Sequence, residues 1–247
     1  MKTARLASLL LAATLFSSQP VHANGVPYTD RFDDCTFTHR GRSDYFLPLL
    51  PGVYAVLAGT EIDDGEEETT VVYMRIMNGT RVVNGVRCAI LREMEWINDE
   101  LVEVSYNYFA LCKETKAVMY FGEDVDIYED GEVVSHDGAW LAGKNGARAG
   151  LIMPGQALIG SRYFQEIAEG VALDRAEHLD NETTIQTPVG TFQNCLYVAE
   201  TTPLEPGHVS FKAYAKHIGM VLDGHIRLTE FGQSARDIPP VEEEEGD

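Results

Sequence analysis

Residues 101–140 read LVEVSYNYFALCKETKAVMYFGEDVDIYEDGEVVSHDGAW, and this stretch decides the fold. Val102, Val104, Tyr106 and Tyr108 alternate with Glu103, Ser105 and Asn107. A period of two places the apolar set on one face of a strand and the polar set on the other. Residues 117–121 form a short unbroken apolar run, as in a strand covered on both faces. Asp130-Gly131 then falls between Val125/Ile127 and Val133/Val134. Asp-Gly between apolar runs signals a tight hairpin, because both central residues of the turn need φ > 0. The stretch is therefore an antiparallel meander of about four strands.

Toward the N-terminus, Lys2 and Arg5 precede an apolar core over residues 6–16, and Val21-His22-Ala23 forms a small-x-small-like cleavage site. Residues 1–23 thus read as a secretory signal peptide cleaved near Ala23/Asn24, and the protein as secreted or periplasmic. The apolar run is too short for a membrane span and no second one follows, so no membrane span is expected. Removing Lys2 and Arg5 takes the formal charge from −20 to −22. Nucleic acid and anionic membrane surfaces are poor partners for such a chain. A cationic ligand or calcium suits the charge, which also serves solubility. Pro239-Pro240 and the glutamates at 242–245 make residues 237–247 an acidic tail expected to be disordered. A single β-rich domain is left over residues 24–236.

Four cysteines stand in the mature chain: Cys35, Cys88, Cys112 and Cys195. An even count in an exported protein suggests disulfides, with three possible connectivities. Cys35 and Cys112 lie in polar, turn-like segments and Cys88 and Cys195 in apolar runs, so pairing like with like gives Cys35–Cys112 and Cys88–Cys195. Buried free thiols are the alternative for the second pair.

Two segments, residues 45–121 and 155–222, carry a similar order of features. Each begins with a glycine and a tyrosine (Gly52 with Tyr54, Gly160 with Tyr163) and continues through a cysteine strand, a tyrosine strand and a final apolar run. Gly52 lies 36 residues before Cys88 and Gly160 lies 35 before Cys195; Tyr108 follows Cys88 by 20 and Tyr214 follows Cys195 by 19. Each cysteine strand ends near a glutamate, Glu93 or Glu200. The expected fold is an all-β antiparallel barrel-like or sandwich domain built from two meander repeats, with little helix. Residues 123–154 form an insert with a glycine-rich loop that could act as a flexible lid. Residues 163–179 fit strand by the repeat and helix by composition, so strand is expected with a short helical piece possible within residues 166–176.

Over residues 45–222 the chain resembles a widespread family of functionally uncharacterised secreted bacterial proteins. The resemblance rests on Tyr120-Phe121-Gly122-Glu123-Asp124, Tyr128-Glu129-Asp130-Gly131, Trp140 and Thr202-Pro203-Leu204-Glu205-Pro206-Gly207, with Tyr54, Tyr163 and Gln165-Glu166. It implies no activity. The family's turn after the tyrosine strand resembles Gln-Asp-x-x-Gly-Asn, whereas this chain has Leu111-Cys112-Lys113-Glu114-Thr115-Lys116. Cys112 is thus a local addition, which fits a clip to Cys35.

No nucleophile elbow, Ser-x-x-Lys, phosphate loop or His-Glu-x-x-His is present, and no two histidines stand at zinc spacing. Asp126, Asp130, Gly131 and Asp137 match four positions of a calcium loop, but Tyr128 replaces a ligand and the flanks are strands, so a plain hairpin is the simpler reading. No metal or cofactor is expected. Two carboxylates, Glu123 and Glu166, are the candidates for acid–base chemistry if the protein is a hydrolase acting, for example, on polysaccharide. The leading expectation is binding of a small or apolar molecule without catalysis, at a site formed by Tyr106, Tyr108, Tyr120, Phe121, Glu123 and Trp140. A structural or interaction protein would have the same composition and a filled core.

Overall fold

The computed structural model describes residues 28–30, 32, 35–63, 65–237 and 239. The predicted signal peptide and all but residues 237 and 239 of the predicted tail lie outside them. The described chain is all-β. It runs through β1 (Phe37–Thr38), β2 (Val53–Asp63), β3 (Glu66–Val83), β4 (Val86–Ile97), β5 (Glu100–Cys112), β6 (Val118–Glu129), β7 (Glu132–Ser135) and β8 (Trp140–Leu141). It continues through β9 (Arg148–Met153), β10 (Arg162–Phe164), β11 (Glu166–Ile167), β12 (Arg175–Thr187), β13 (Gly190–Thr201), β14 (Ser210–Ala215), β15 (Gly219–Asp223) and β16 (Ile226–Gln233).

Every pairing between these strands is antiparallel, in the order β10-β12-β13-β14-β15-β16-β2-β3-β4-β5-β6-β9-β11. The two ends of this path, β10 and β11, are halves of one bent segment, residues 162–167. The first half bonds to β12 through Tyr163↔Ala176, and the second to β9 through Glu166↔Ala149. The sheet therefore meets itself across this segment and forms a nearly closed barrel, which leaves few unpaired edges. The runs β2-β3-β4-β5-β6 and β10-β12-β13-β14-β15 have the same strand order. The Asp-Gly hairpin forms as read, with Glu129 opposite Glu132 and positive φ at Asp130 and Gly131.

Alternating strand directions give the barrel two ends. Turns at residues 84–85, 113–117, 188–189 and 216–218 lie at one end; those at 98–99, 130–131, 168–174 and 202–209 lie at the other. The first end is plugged by residues 43–49. Tyr45, Phe46, Leu47 and Leu49 are buried there, Gly41 and Leu49 exchange backbone hydrogen bonds, and His217 N donates to Asp44 O at 2.6 Å. The main core lines the inside of the barrel above this plug. A smaller cluster of Val56, Tyr73, Met94, Trp96 and Val104 packs on the other face of β2–β5. Beside it Asp237 accepts from Arg92 at 2.8 Å and from Tyr73 at 3.2 Å and pairs with Arg75, so the first residue of the predicted tail is tied to the barrel.

Three expectations are corrected. Cys35 and Cys112 form a disulfide, but Cys88 and Cys195 are free. They sit on β4 and β13, six strands apart in the sheet, each buried with its Sγ toward a nearby backbone carbonyl (Val86, Phe192). Residues 166–176 contain no helix: the segment is drawn into sheet pairing at both ends and turns between. The glycine-rich segment is no lid, because β8 and β9 within it are hydrogen-bonded to β6 and form part of the wall.

Candidate functional site

A cavity of about 450 Å³ occupies the barrel above the plug. Its floor is apolar: Phe46 and Leu47 from the plug, with Met74, Leu91, Phe109 and Met220. At mid-depth the wall turns polar through Glu93 (β4), Asn107 (β5), Tyr120 and Glu123 (β6), Gln165 and Glu166 (the crossing segment), Glu200 (β13), and Lys212 and Tyr214 (β14). At the unplugged end the lining includes Val171, Asp174, Leu204 and Glu205, and both Val171 and Leu204 reach solvent, which places the mouth there.

The inward polar ring follows from register. Glu123 stands opposite Asn107, and Glu93 opposite Ser105. On β5 the polar phase faces the cavity, while Val104 packs into the outer cluster. The apolar-in reading of this strand is thus reversed at this level. Phe109, two residues beyond Asn107, faces the interior in the same phase, and the register shift there falls on β6, where it lets both Tyr120 and Glu123 face the cavity. Two glycines allow the wall to close. A Cβ at Gly122, where φ is +135°, would lie 2.3 Å from Trp140 O, and one at Gly150 would lie 2.2 Å from Gln165 O. Gly150 thereby lets the crossing segment pass close enough to carry Gln165 and Glu166 into the cavity.

Hydrogen bonds and charges fix the ring. Tyr120 donates to Asn107 Oδ1, and Asn107 Nδ2 donates to Ser105 Oγ at 3.0 Å. Lys212 Nζ lies 3.1 Å from Glu200 and 3.3 Å from Asp223. Gln165 Nε2 donates to Glu200 Oε1 at 2.8 Å, and the Asp174 N–H donates to Glu166 Oε1 at 3.0 Å. Enclosure in the barrel pushes Glu93 up to about 8 despite the pull of Lys212. It pushes Glu123 up to about 7, with the polar groups of Tyr120 and Trp140 nearby pulling the other way. Burial raises Glu166 well above the usual carboxyl range, helped by the charges of Asp174 and Glu123. Burial and their mutual charge also raise Glu95 and burial raises Glu103, which face each other across β4 and β5.

Of the residues expected to form a site, Tyr120, Glu123 and Glu166 line the cavity. The other four stand in the wall. Trp140 packs edge-on against Tyr120 at 5.2 Å, and Phe121 edge-on against Phe37 at 5.3 Å. Tyr108 is buried with its hydroxyl donating to Asp124 at 2.6 Å under Arg81, and Tyr106 packs beside the cores. Glu93, Gln165, Glu200 and Lys212 escaped the sequence reading as site residues, although Glu93 and Glu200 occupy matching places in the two similar segments. Among the described residues, the group of metal-ligand atoms that come together is Cys35, Cys112 and Glu114, where the two sulfurs are already bonded to each other.

Comparison with protein-family models, curated proteins and solved structures finds no match to this chain.

Proposed function

We propose that this is a secreted or periplasmic binding protein that holds a small molecule with an apolar part inside the barrel, without catalysis. The observation that carries the reading is the cavity itself: about 450 Å³, apolar at its floor, ringed with polar groups at mid-depth and open at one end. Cavities of this size and mixed lining suit small ligands, and a filled structural core leaves no such space. The Cys35–Cys112 disulfide fits an oxidising compartment. The family resemblance belongs to the same reading, since Tyr120, Glu123, Thr202, Leu204 and Glu205, which help carry it, all line the cavity. The shared strand order of the two segments supports an origin by duplication. Native mass spectrometry of protein purified from its own host tests the proposal. A co-purified molecule that is lost on Met74→Trp or Leu91→Trp, which fill the floor, supports it. An empty protein whose melting temperature no library compound raises ends it.

A second reading, a carboxylate-dependent hydrolase, draws on Glu123 and Glu166 lining one cavity, with Glu123 at about 7, a useful value for a general acid. Glu123→Gln and Glu166→Gln would each then lower turnover about a hundredfold. Absence of turnover across a panel of glycans and esters removes this reading.

A further inference from the structure

We infer that the cavity takes a protonated amine carried on a small apolar body, an inference that rests on the binding reading above. Six carboxyl groups, from Glu93, Glu123, Glu166, Asp174, Glu200 and Glu205, face the cavity, against one cation, Lys212. That lysine already pairs with Glu200 and with Asp223 behind it. Among the described residues Glu93, Glu123 and Glu166 have no ion-pair partner, so the ring holds unmatched acid and no spare positive charge. A cation supplies the missing partner, whereas an anionic ligand meets repulsion from every ionised carboxylate and a neutral one gains hydrogen bonds but no ion pair.

A second observation, independent of the carboxyl groups, points to a ligand that donates hydrogen bonds. Gln165 is 3% exposed and lines the cavity, and its Oε1 has no hydrogen-bond partner. The orientation of its amide is set by the bond from Nε2 to Glu200, since the opposite orientation would put oxygen against oxygen. A buried acceptor left open beside a ring of acceptors calls for N–H groups, which an ammonium provides in three directions. A bare metal ion is a poor occupant. Among the described residues no three carboxyl oxygens of this ring lie within 4.8 Å of one another, whereas a hard cation needs six or more oxygens at about 2.3–2.6 Å. The apolar floor then has a role. Phe46 and Phe109, 4.9 Å apart and edge-on, with Met74 and Met220, offer surface for a hydrocarbon or aromatic body below the charge.

The test is isothermal calorimetry on the full mature chain at pH 7 and low salt, with three probes of one skeleton: 4-phenylbutylamine, 4-phenylbutanol and 4-phenylbutyrate. The amine is expected to bind at least about tenfold more tightly than the alcohol, and the acid more weakly than either. Glu93→Gln and Glu123→Gln, which keep shape and remove charge, should each weaken the amine by about tenfold and leave the alcohol within about twofold. The wild-type series stands without the variants should either fail to fold. If the alcohol or acid binds as tightly as the amine, the amine inference is overturned while the binding reading survives. If none of the three binds at millimolar concentration, the amine inference is overturned, and the binding reading is decided separately by the native mass spectrometry and library test above.

Discussion

Glu93 is a carboxyl group enclosed by a barrel, and its protonation makes the stability of the fold depend on pH. In the unfolded chain it titrates near 4.5, and in the folded protein burial holds it near 8. Below about pH 4.5 it is protonated in both states and folding carries no electrostatic cost at this site. Between about 4.5 and 8 the unfolded chain ionises while the folded one resists, so stability falls as pH rises through this window and levels off above it. The loss is on the order of a few kcal/mol for this one group. Glu123 and Glu166, raised in the same direction, steepen the fall. Glu93→Gln cannot ionise, so its melting temperature should match that of the wild type near pH 4.5 and exceed it near pH 8. Parallel curves of melting temperature against pH for the two proteins would show that Glu93 ionises freely when folded. A cationic ligand reverses the burden by favouring the charged form, which ties ligand chemistry to stability at the same residue.

At the scale of single elements, much was legible and one phase was not. The 130–131 hairpin followed from the need for positive φ, and the alternation on β5 gave the strand itself. Which face of β5 turned inward did not follow, because period two fixes the contrast between faces and not their destination. Val104 found cover in an outer cluster with Tyr73 and Trp96, which left Asn107, in the opposite phase, to face the cavity. The glycines after Trp140 suggested mobility by composition, whereas in the fold Gly143 and Gly146 take positive φ in a turn and Gly150 and Gly155 let backbones approach closely. Gly150 makes this measurable. An added methyl would sit 2.2 Å from Gln165 O, backbone that cannot swing aside, so Gly150→Ala should lower stability by about 1–3 kcal/mol or more. It should also displace Gln165 and Glu166 from the cavity. Gly79→Ala is the control: its Cβ would have Ile90 Cδ1 at 3.7 Å as its one close neighbour, an ordinary contact. Urea midpoints for the two variants decide the matter, and equal midpoints would refute the role given to Gly150.

For the whole molecule, the barrel was readable as a class and its closure was not. Residues 162–167 close the sheet by bonding to β12 with one half and to β9 with the other, a tertiary arrangement that no local pattern encodes. The site shares this limit, since Glu93, Glu123, Glu166 and Glu200 come from four elements. The one sequence clue to their meeting was the matching position of Glu93 and Glu200. The cysteines show where context sufficed and where it failed. Polar, turn-like surroundings identified Cys35 and Cys112, whose bond spans 77 residues and fastens β1 to the end of β5. Apolar surroundings alone did not make a bond of Cys88 and Cys195, which are buried on strands well separated in the sheet, with burial pushing the Cys88 thiol up to about 12. Two consequences can be measured together. A thiol reagent should find no reactive cysteine in the folded, oxidised protein, both free thiols after denaturation, and all four after denaturation with reduction. Cleaving the one bond releases a long loop in the unfolded chain, so Cys35→Ser/Cys112→Ser should lose about 2–4 kcal/mol of stability. Its cavity should remain intact, because neither cysteine lines it. A native protein with two fast-reacting thiols, or a double variant as stable as the wild type, would refute this account of how the N-terminal segment is held to the barrel.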